Sequence, residues 1–349
     1  MSAGLENAGK GHVLLITPLS FSYHLVISNA LQSMGFEVTW WDDRASASTW
    51  YKIILRLFPL ITVRWSQHVF LKKLSALTVS CVTHVVVVKG EGLSATTLLE
   101  MRQRMSAASF GLYLWDGVEN IKNVLNIASI FDSVATFDPV DAEKFHWTYR
   151  PLFGRKSKAL KPGSSFFDFD WCFIGTIHSD RHLVIHRLRR RYRAQLKSFV
   201  FAFFQNWLVL WLRLMCDWTL WVAPNGTFST RSMSADDIND VVVRSRSVLD
   251  IEHPKQRGYT MRTIETLLAE KKLVTTNRHI LSSNLYHPSR VHIIDRLRPE
   301  IPESFLASPY LPVAATLCAY YSCVGWAKEL LELQDKAFEI GHSTIRGDK

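Results

Sequence analysis

Residues Asp250 to Asn277 read D-I-E-H-P-K-Q-R-G-Y-T-M-R-T-I-E-T-L-L-A-E-K-K-L-V-T-T-N, a strand, a donor-rich loop, a helix and a strand in succession. Ser247 to Ile251 (S-V-L-D-I) is a short apolar run with a polar end, the pattern of a buried parallel strand. Pro254 to Thr260 is a loop with one glycine and several hydrogen-bond donors. Met261 to Glu270 predicts a helix, because Met261, Ile264, Leu267 and Leu268 are spaced three and four apart. Leu273 to Thr276 predicts the next strand. In a parallel sheet such a loop lies at the carboxyl end of the strands, where open α/β folds bind ligands. The start of its helix offers unpaired backbone N–H groups and a partial positive charge. With Arg257 and Arg262 beside it, the place suits a phosphate or diphosphate. Glu265, one turn deeper than Met261, is placed to accept from a sugar hydroxyl.

The spacing Gln256-x-Gly258-x-Thr260-x-Arg262-x-x-Glu265, followed by K-K-L-V-T-T-N, resembles the donor-site motif of GT-B-type glycosyltransferases. The resemblance is strongest to bacterial enzymes that build capsular polysaccharide and lipopolysaccharide. It extends more distantly to the spore-maturation-protein type, which carries Gly-x-x-x-Arg-x-x-Glu at this point. Tyr113 to Asp116 (Y-L-W-D), Phe137-Asp138-Pro139 with Asp141, Pro151-Leu152-Phe153 and Phe173 to Arg181 (F-I-G-T-I-H-S-D-R) follow in the expected order, so the likeness spans roughly Gly11 to Trp326. It implies an α/β fold of the GT-B kind, two Rossmann-like doubly wound parallel-sheet domains facing a cleft. It also implies transfer of a sugar from a nucleotide-sugar donor to a glycan or lipid-linked acceptor, in bacterial surface polysaccharide biosynthesis. The second domain would bind the donor through Gln256, Gly258, Tyr259, Thr260 and Met261. Arg262 would neutralise the departing diphosphate, and Glu265 would hold the donor's hydroxyls. The enzyme would be of the hexosyltransferase type and metal-independent, with the nucleotide sugar as substrate and no cofactor.

Outward from the motif, strands and helices alternate. Strands are expected at Val13 to Ile16, Phe36 to Trp41, His84 to Val88, Gly111 to Trp115 and Ser133 to Phe137. Helices are expected at Tyr23 to Met34, Thr49 to Leu77 with an interruption at Pro59, Ser94 to Met105 and Ile121 to Ile130. This alternation predicts a doubly wound parallel sheet. Gly154 to Ser165 (G-R-K-S-K-A-L-K-P-G-S-S) is basic and rich in turn formers, as a linker is. A second alternating region follows: a strand at Trp171 to Ile174, a helix at Arg181 to Lys197, a strand at Phe199 to Phe204 and a helix at Ala235 to Arg246. After the motif come a strand at Val291 to Ile294 and a helical tail at Ala314 to Phe338. The expected organisation is an acceptor-side domain over 1–153, a linker over 154–165 and a donor domain over 166–325. A helix and tail over 326–349 would cross back to the first domain.

Four further constellations carry chemistry. Gly175-Thr176, followed by Ser179-Asp180-Arg181, is a strand, a glycine turn and a helix start, which makes Gly175, Thr176 and Arg181 donor-binding candidates; the competing reading is an ordinary capped turn. Asp168-Phe169-Asp170 matches the D-x-D signature of metal-dependent glycosyltransferases, but Asp170 precedes its strand, at the edge opposite the ligand. His178, His182 and His186 share a spacing of four, with no carboxylate or cysteine to complete a metal set. Glu91 and Asp116 follow strands of the first domain and are the candidate catalytic carboxylates on the acceptor side, where an inverting transfer needs a base; Asp138 and Asp141 share that position. Each alone also fits a cap or turn residue.

The formal net charge of +10 implies attraction to anions. The R-L-R-R-R-Y-R run from Arg187 reads as the solvated basic side of an amphipathic helix or as a membrane contact. Trp207 to Val222 (W-L-V-L-W-L-R-L-M-C-D-W-T-L-W-V) is too short to span a bilayer and is interrupted by Arg213 and Asp217. As a helix it puts Trp207, Trp211, Leu214, Trp218 and Trp221 on one stripe, suited to a membrane surface or to a core. No nucleic-acid motif is present, so no nucleic-acid partner is expected. Five cysteines without a C-x-x-C, and an N-terminus without a signal-peptide core, read as a cytoplasmic protein, peripheral on the inner face of the membrane. The competing function is a non-catalytic assembly protein of the same fold that binds a nucleotide sugar or glycan.

Overall fold

A computed structural model of the protein describes residues 10–19, 22–44, 59–121, 123–155, 167–204, 207–216, 220, 228–254 and 256–347. The chain forms two compact units, Met1–Leu152 with Ala319–Lys349, and Phe153–Cys318.

The first unit alternates β1 (His12–Ile16), α1 (Tyr23–Ser33), β2 (Glu37–Trp41), α2 (Pro59–Ala76), β3 (Val82–Val88), α3 (Ala95–Arg104), β4 (Ser109–Leu114), α4 (Val124–Ile127), β5 (Ser133–Thr136), α5 (Pro139–Phe145) and β6 (Thr148–Tyr149). Its six strands are all parallel, in the order β2-β1-β3-β4-β5-β6. The central strands are buried nearly throughout because helices cover both faces of such a sheet, which is why H-V-V-V-V reads as an unbroken apolar run. Strand order reverses between β1 and β3, so the ligand crevice of this topology opens at their carboxyl ends.

The second unit runs β7 (Phe169–Thr176), α6 (Arg181–Arg191), β8 (Ser198–Phe203), α7 (Trp207–Cys216), β9 (Phe228–Ser229), α8 (Ala235–Val243), β10 (Ser245–Asp250), α9 (Met261–Leu268), β11 (Lys272–Thr275), β12 (Val291–Ile293) and α10 (Glu303–Ala307). Its six strands are also parallel, in the order β12-β11-β10-β7-β8-β9, and the order reverses between β7 and β10. Trp171, Phe173, Val184, Leu188, Leu249 and Val274 belong to the larger core cluster, while Cys172, Val241, Val242 and Val248 form a smaller one.

Two last helices follow, α11 (Ala315–Tyr320) and α12 (Cys323–Gly347), and α12 packs on α1 and β4 of the first unit. Gln334 of α12 donates to the Val85 carbonyl at 3.2 Å and lies over Gly111, where a Cβ would stand 1.8 Å from its amide nitrogen. A side chain at position 111 would force Gln334 out of this position. Arg150 is fully buried; its guanidinium donates to the Tyr320 carbonyl at 2.6 Å, lies 3.9 Å from the Tyr320 ring centroid and pairs with Glu329. A buried charge needs such compensation, here from Glu329, the carbonyls and the ring.

Several elements differ from expectation. β7 begins at Phe169, so Asp170 lies inside the strand. α6 stops at Arg191, with three arginines in its last turn where the helix dipole favours cations. The single helical tail is two helices, broken where Ser322 accepts from the Gly325 amide as a cap and Gly325 sits against the Ala319 carbonyl. The helix proposed over Thr49 to Leu77 is described only from Pro59. The linker beyond Arg155, and Asp217, Trp218 and Trp221, lie outside the described residues.

Candidate active site

The switch point of the second sheet brings together the loops after β7 and β10. Arg181 ties them: its Nε donates to the Ile251 carbonyl at 2.5 Å and its Nη1 to the Thr176 carbonyl at 2.9 Å. Arg296, just beyond β12, donates to Asp180 at 2.7 Å and to Glu252 at 2.6 Å, and Glu252 also accepts from the Thr276 hydroxyl. Burial opposes the charge on Arg296, but Glu252 and Asp180 outweigh it and hold the guanidinium above its ordinary pKa. Gly175, next to last in β7, has tight surroundings, with an added Cβ 3.3 Å from the Phe173 ring.

The loop after β10 is anchored by Asp250. Its carboxylate accepts from the hydroxyls of Thr260 and, at 2.6 Å, Thr263. Thr260 in turn caps α9 by accepting from the Thr263 amide at 3.1 Å. The amides of Met261 and Arg262 have no acceptor among the described residues, so the start of α9 stays open for an anion at the ligand edge. Gln256 donates to the Gly258 carbonyl at 3.1 Å, and Tyr259 donates to the His279 carbonyl at 3.3 Å. Both side chains brace the loop.

Arg262 and Glu265 meet each other at 3.5 Å, and Glu265 accepts from Arg155 at 2.8 Å. The pair lines a pocket of about 180 Å³ together with Asp236 and Asn239 of α8. The side chains of Arg262 and Glu265 are 22% and 11% exposed, so each is partly screened from water.

At the crevice of the first sheet, Lys89 joins the two candidate carboxylates. Its Nζ lies 3.2 Å from Glu91 and 3.0 Å from Asp116; its backbone is in the left-handed region at φ 74°, and its amide N–H donates to the Tyr113 carbonyl at 2.8 Å. Arg44 lies 3.3 Å from Glu91. Burial would raise the Glu91 pKa, but Lys89 and Arg44 outweigh it and hold the carboxylate below its ordinary value. Asp43 is the reverse case. Its carboxyl is fully buried, neither oxygen has a hydrogen-bond partner among the described residues, and burial, only partly offset by Arg44 at 3.7 Å, pushes its pKa up to about 7. Asp43 was not among the candidates read from the sequence.

The remaining candidates have structural partners. Asp138 caps α5 by accepting from the Val140 amide at 2.9 Å, and Asp141 accepts from the Val118 amide at 2.8 Å. Asp168 pairs with Arg244 at 2.5 Å and Asp170 accepts from the Lys197 amide at 2.9 Å, both at the starting edge of β7. Among the described residues no three His, Cys, Asp or Glu side chains converge as a metal-holding group. On α7 the expected stripe divides. Leu210 and Leu214 pack on the core, whereas Trp207, Leu208, Trp211, Leu212 and Met215 are exposed, Trp207 by 71%.

No protein-family model matches the chain, and no curated protein sequence matches it. Solved structures do. HepE of Anabaena in complex with UDP and glucose aligns at 10% identity over 93% of this chain and 100% of that chain, with a TM-score of 0.62. The catalytic domain of starch synthase IV from Arabidopsis thaliana, bound to ADP and acarbose, aligns at 8% identity over 94% of this chain and 99% of that chain, with a TM-score of 0.56. At such identities the likeness is one of fold. Two six-stranded parallel sheets, each doubly wound and flanked by helices, give this chain the GT-B fold.

Proposed function

We propose that the protein is a glycosyltransferase that moves a hexosyl group from a nucleotide-sugar donor to a glycan or lipid-linked acceptor in bacterial surface polysaccharide biosynthesis. One observation carries the reading. The loops after β7 and β10, with the open start of α9, converge on the switch point of the second sheet, where doubly wound folds bind nucleotides. HepE, of like fold, is solved with UDP and glucose, and the starch synthase domain with ADP and acarbose, which supports a nucleotide sugar here. The polysaccharide pathway rests on the motif resemblance alone.

In this mechanism the diphosphate lies on the Met261 and Arg262 amides. As the glycosidic bond breaks, negative charge grows on the leaving diphosphate. Arg262 then releases Glu265 and turns to that charge, stabilising the transition state more than the bound donor. Glu265, still held by Arg155, accepts from a donor hydroxyl. Because amides and a guanidinium meet the charge, transfer proceeds without a metal. In the first unit, Glu91 and Asp116, held on Lys89, face the acceptor, and the hydroxyl proton leaves to this carboxylate cluster. The exposed apolar face of α7 and the exposed Arg190 and Arg193 near the end of α6 hold the protein on the inner face of the cytoplasmic membrane. No described helix is long and apolar enough to cross it.

A second reading is favoured by one contact set. Glu265 already has two arginine partners, which suits a structural ion and a protein that binds a nucleotide sugar without turnover. Calorimetric titration with UDP, UDP-glucose and ADP-glucose, with and without EDTA, tests the main reading. Saturable binding that survives EDTA, with slow donor hydrolysis, is expected. Binding without hydrolysis or transfer would favour the second reading. No binding of any nucleotide sugar would overturn both.

A further inference from the structure

The second unit holds a cavity of about 950 Å³ between α6 and the strands β7 and β8. Its lining touches the loop after β7 only at Ile177 and includes none of the donor-site candidates. Its lining includes Asp168, Phe169, Lys197 and Ser198, where β7 and β8 start, so it reaches the edge of the sheet opposite the switch point. Its walls are largely apolar, with Trp171, Ile185, Leu188, Val200 and Ala202 among them. Its rim is basic, formed by Arg189, Arg190, Arg193 and Lys197. Asp168, the one carboxylate among its described lining residues, is already paired with Arg244.

Protein interiors pack to near-crystalline density, with few voids larger than a water molecule. A cleft of this size leaves the tryptophan, leucine and valine of its wall without packing partners on one side. Water enters along its open side and bonds His186, Gln195 and Ser198, but it gains no partners on the apolar part of the wall. The volume falls within the range of small-molecule sites. The occupant that fits is apolar along its length and anionic at one end. Arginine forks match phosphate oxygens, which favours a phosphate over a carboxylate. The neighbouring surface is consistent with such a ligand. The inner face of α7, through Leu210 and Leu214, packs on the cluster that contains Trp171, Ile185, Leu188 and Ala202, while its outer face is exposed apolar surface with two tryptophans. Tryptophan favours the boundary between headgroups and acyl chains.

We infer that this cavity is a lipid-phosphate site. It takes one hydrocarbon chain of an anionic membrane lipid against Trp171, Leu188 and Val200, with the phosphate on Arg190 and Arg193. The site is separate from the nucleotide site and stands or falls without it.

Farnesyl phosphate serves as a soluble probe, followed by calorimetry on the full chain. The expected result is saturable binding of one molecule per chain, with farnesol at least tenfold weaker and inorganic phosphate without measurable heat. Reversing the rim charge (Arg190→Glu with Arg193→Glu) should weaken farnesyl phosphate at least tenfold. Val200→Trp, which puts an indole where the hydrocarbon chain would lie, should weaken binding at least tenfold. UDP titration and melting curves on the same variants report whether the fold and the nucleotide site are intact. Wild-type vesicles of phosphatidylglycerol should compete with the probe, and phosphatidylcholine vesicles should not. If Val200→Trp does not fold, the charge reversal on the exposed rim decides. Unchanged farnesyl phosphate affinity in a folded variant, or inorganic phosphate binding as tightly as farnesyl phosphate, would overturn the assignment.

Discussion

The two sheet edges share a topology and differ in charge. At the crevice of the second sheet, open amides and arginines dominate, and each nearby carboxylate is paired to an arginine or to hydroxyl donors. At the crevice of the first, four carboxylates, Asp42, Asp43, Glu91 and Asp116, gather around Lys89 and Arg44, and one of them is buried without a hydrogen-bond partner among the described residues. The doubly wound scaffold says where a ligand lies; the residues after each strand say what kind. One edge suits a diphosphate and the other a hydroxyl that must lose a proton.

The comparison breaks most readily at Arg262. Arg262→Ala should lower turnover on the order of a hundredfold, the scale of removing one charge-stabilising donor, with little change in melting temperature. Activity near that of the wild type would leave the second edge with no special claim on the diphosphate. A smaller effect is expected of Glu265→Gln, which keeps shape but weakens a charge-assisted acceptor, and donor affinity should fall about tenfold. A loss that follows unfolding would instead mark Glu265 as the structural partner of Arg155.

The first edge is sharpened by Asp43. Its folded pKa is raised from the ordinary 3.8 to about 7, so the native state binds more protons than the unfolded chain between those values. Stability therefore falls as pH rises from about 4 to about 7 and is level above that. Asp43→Asn removes this cost. Its melting temperature should exceed that of the wild type by roughly 5 °C at pH 8, with the difference closing near pH 4. Parallel melting curves for the two proteins across that range would mean that Asp43 is not a buried proton carrier.

Much of the fold was legible in the sequence because parallel strands are buried on both faces and so read as apolar runs. H-V-V-V-V and S-V-L-D-I declare themselves as β3 and β10, and the three- and four-residue spacing from Met261 declares α9. The two-residue strands β6 and β9 carry no such period. Glu252 and Arg296 stand 44 residues apart and meet only through the sheet, so their pair left no local signal. Asp43 was hidden for a different reason. Asp42-Asp43-Arg44 has the composition of a solvated turn, and only the backbone of Asp43 packed against Gly92 shows it to be enclosed. The tryptophan run from Trp207 announced an unusual helix but not its two apolar faces, since period alone does not say which side the core takes.

The central claim is that the second edge, and not the first, holds the nucleotide. Hydrogen exchange of the full chain with and without saturating UDP tests it most directly. Exchange should slow over 175–181 and 251–262, with 87–91 and 113–117 unchanged. Protection confined to the first edge, or saturable binding that protects neither, would contradict it.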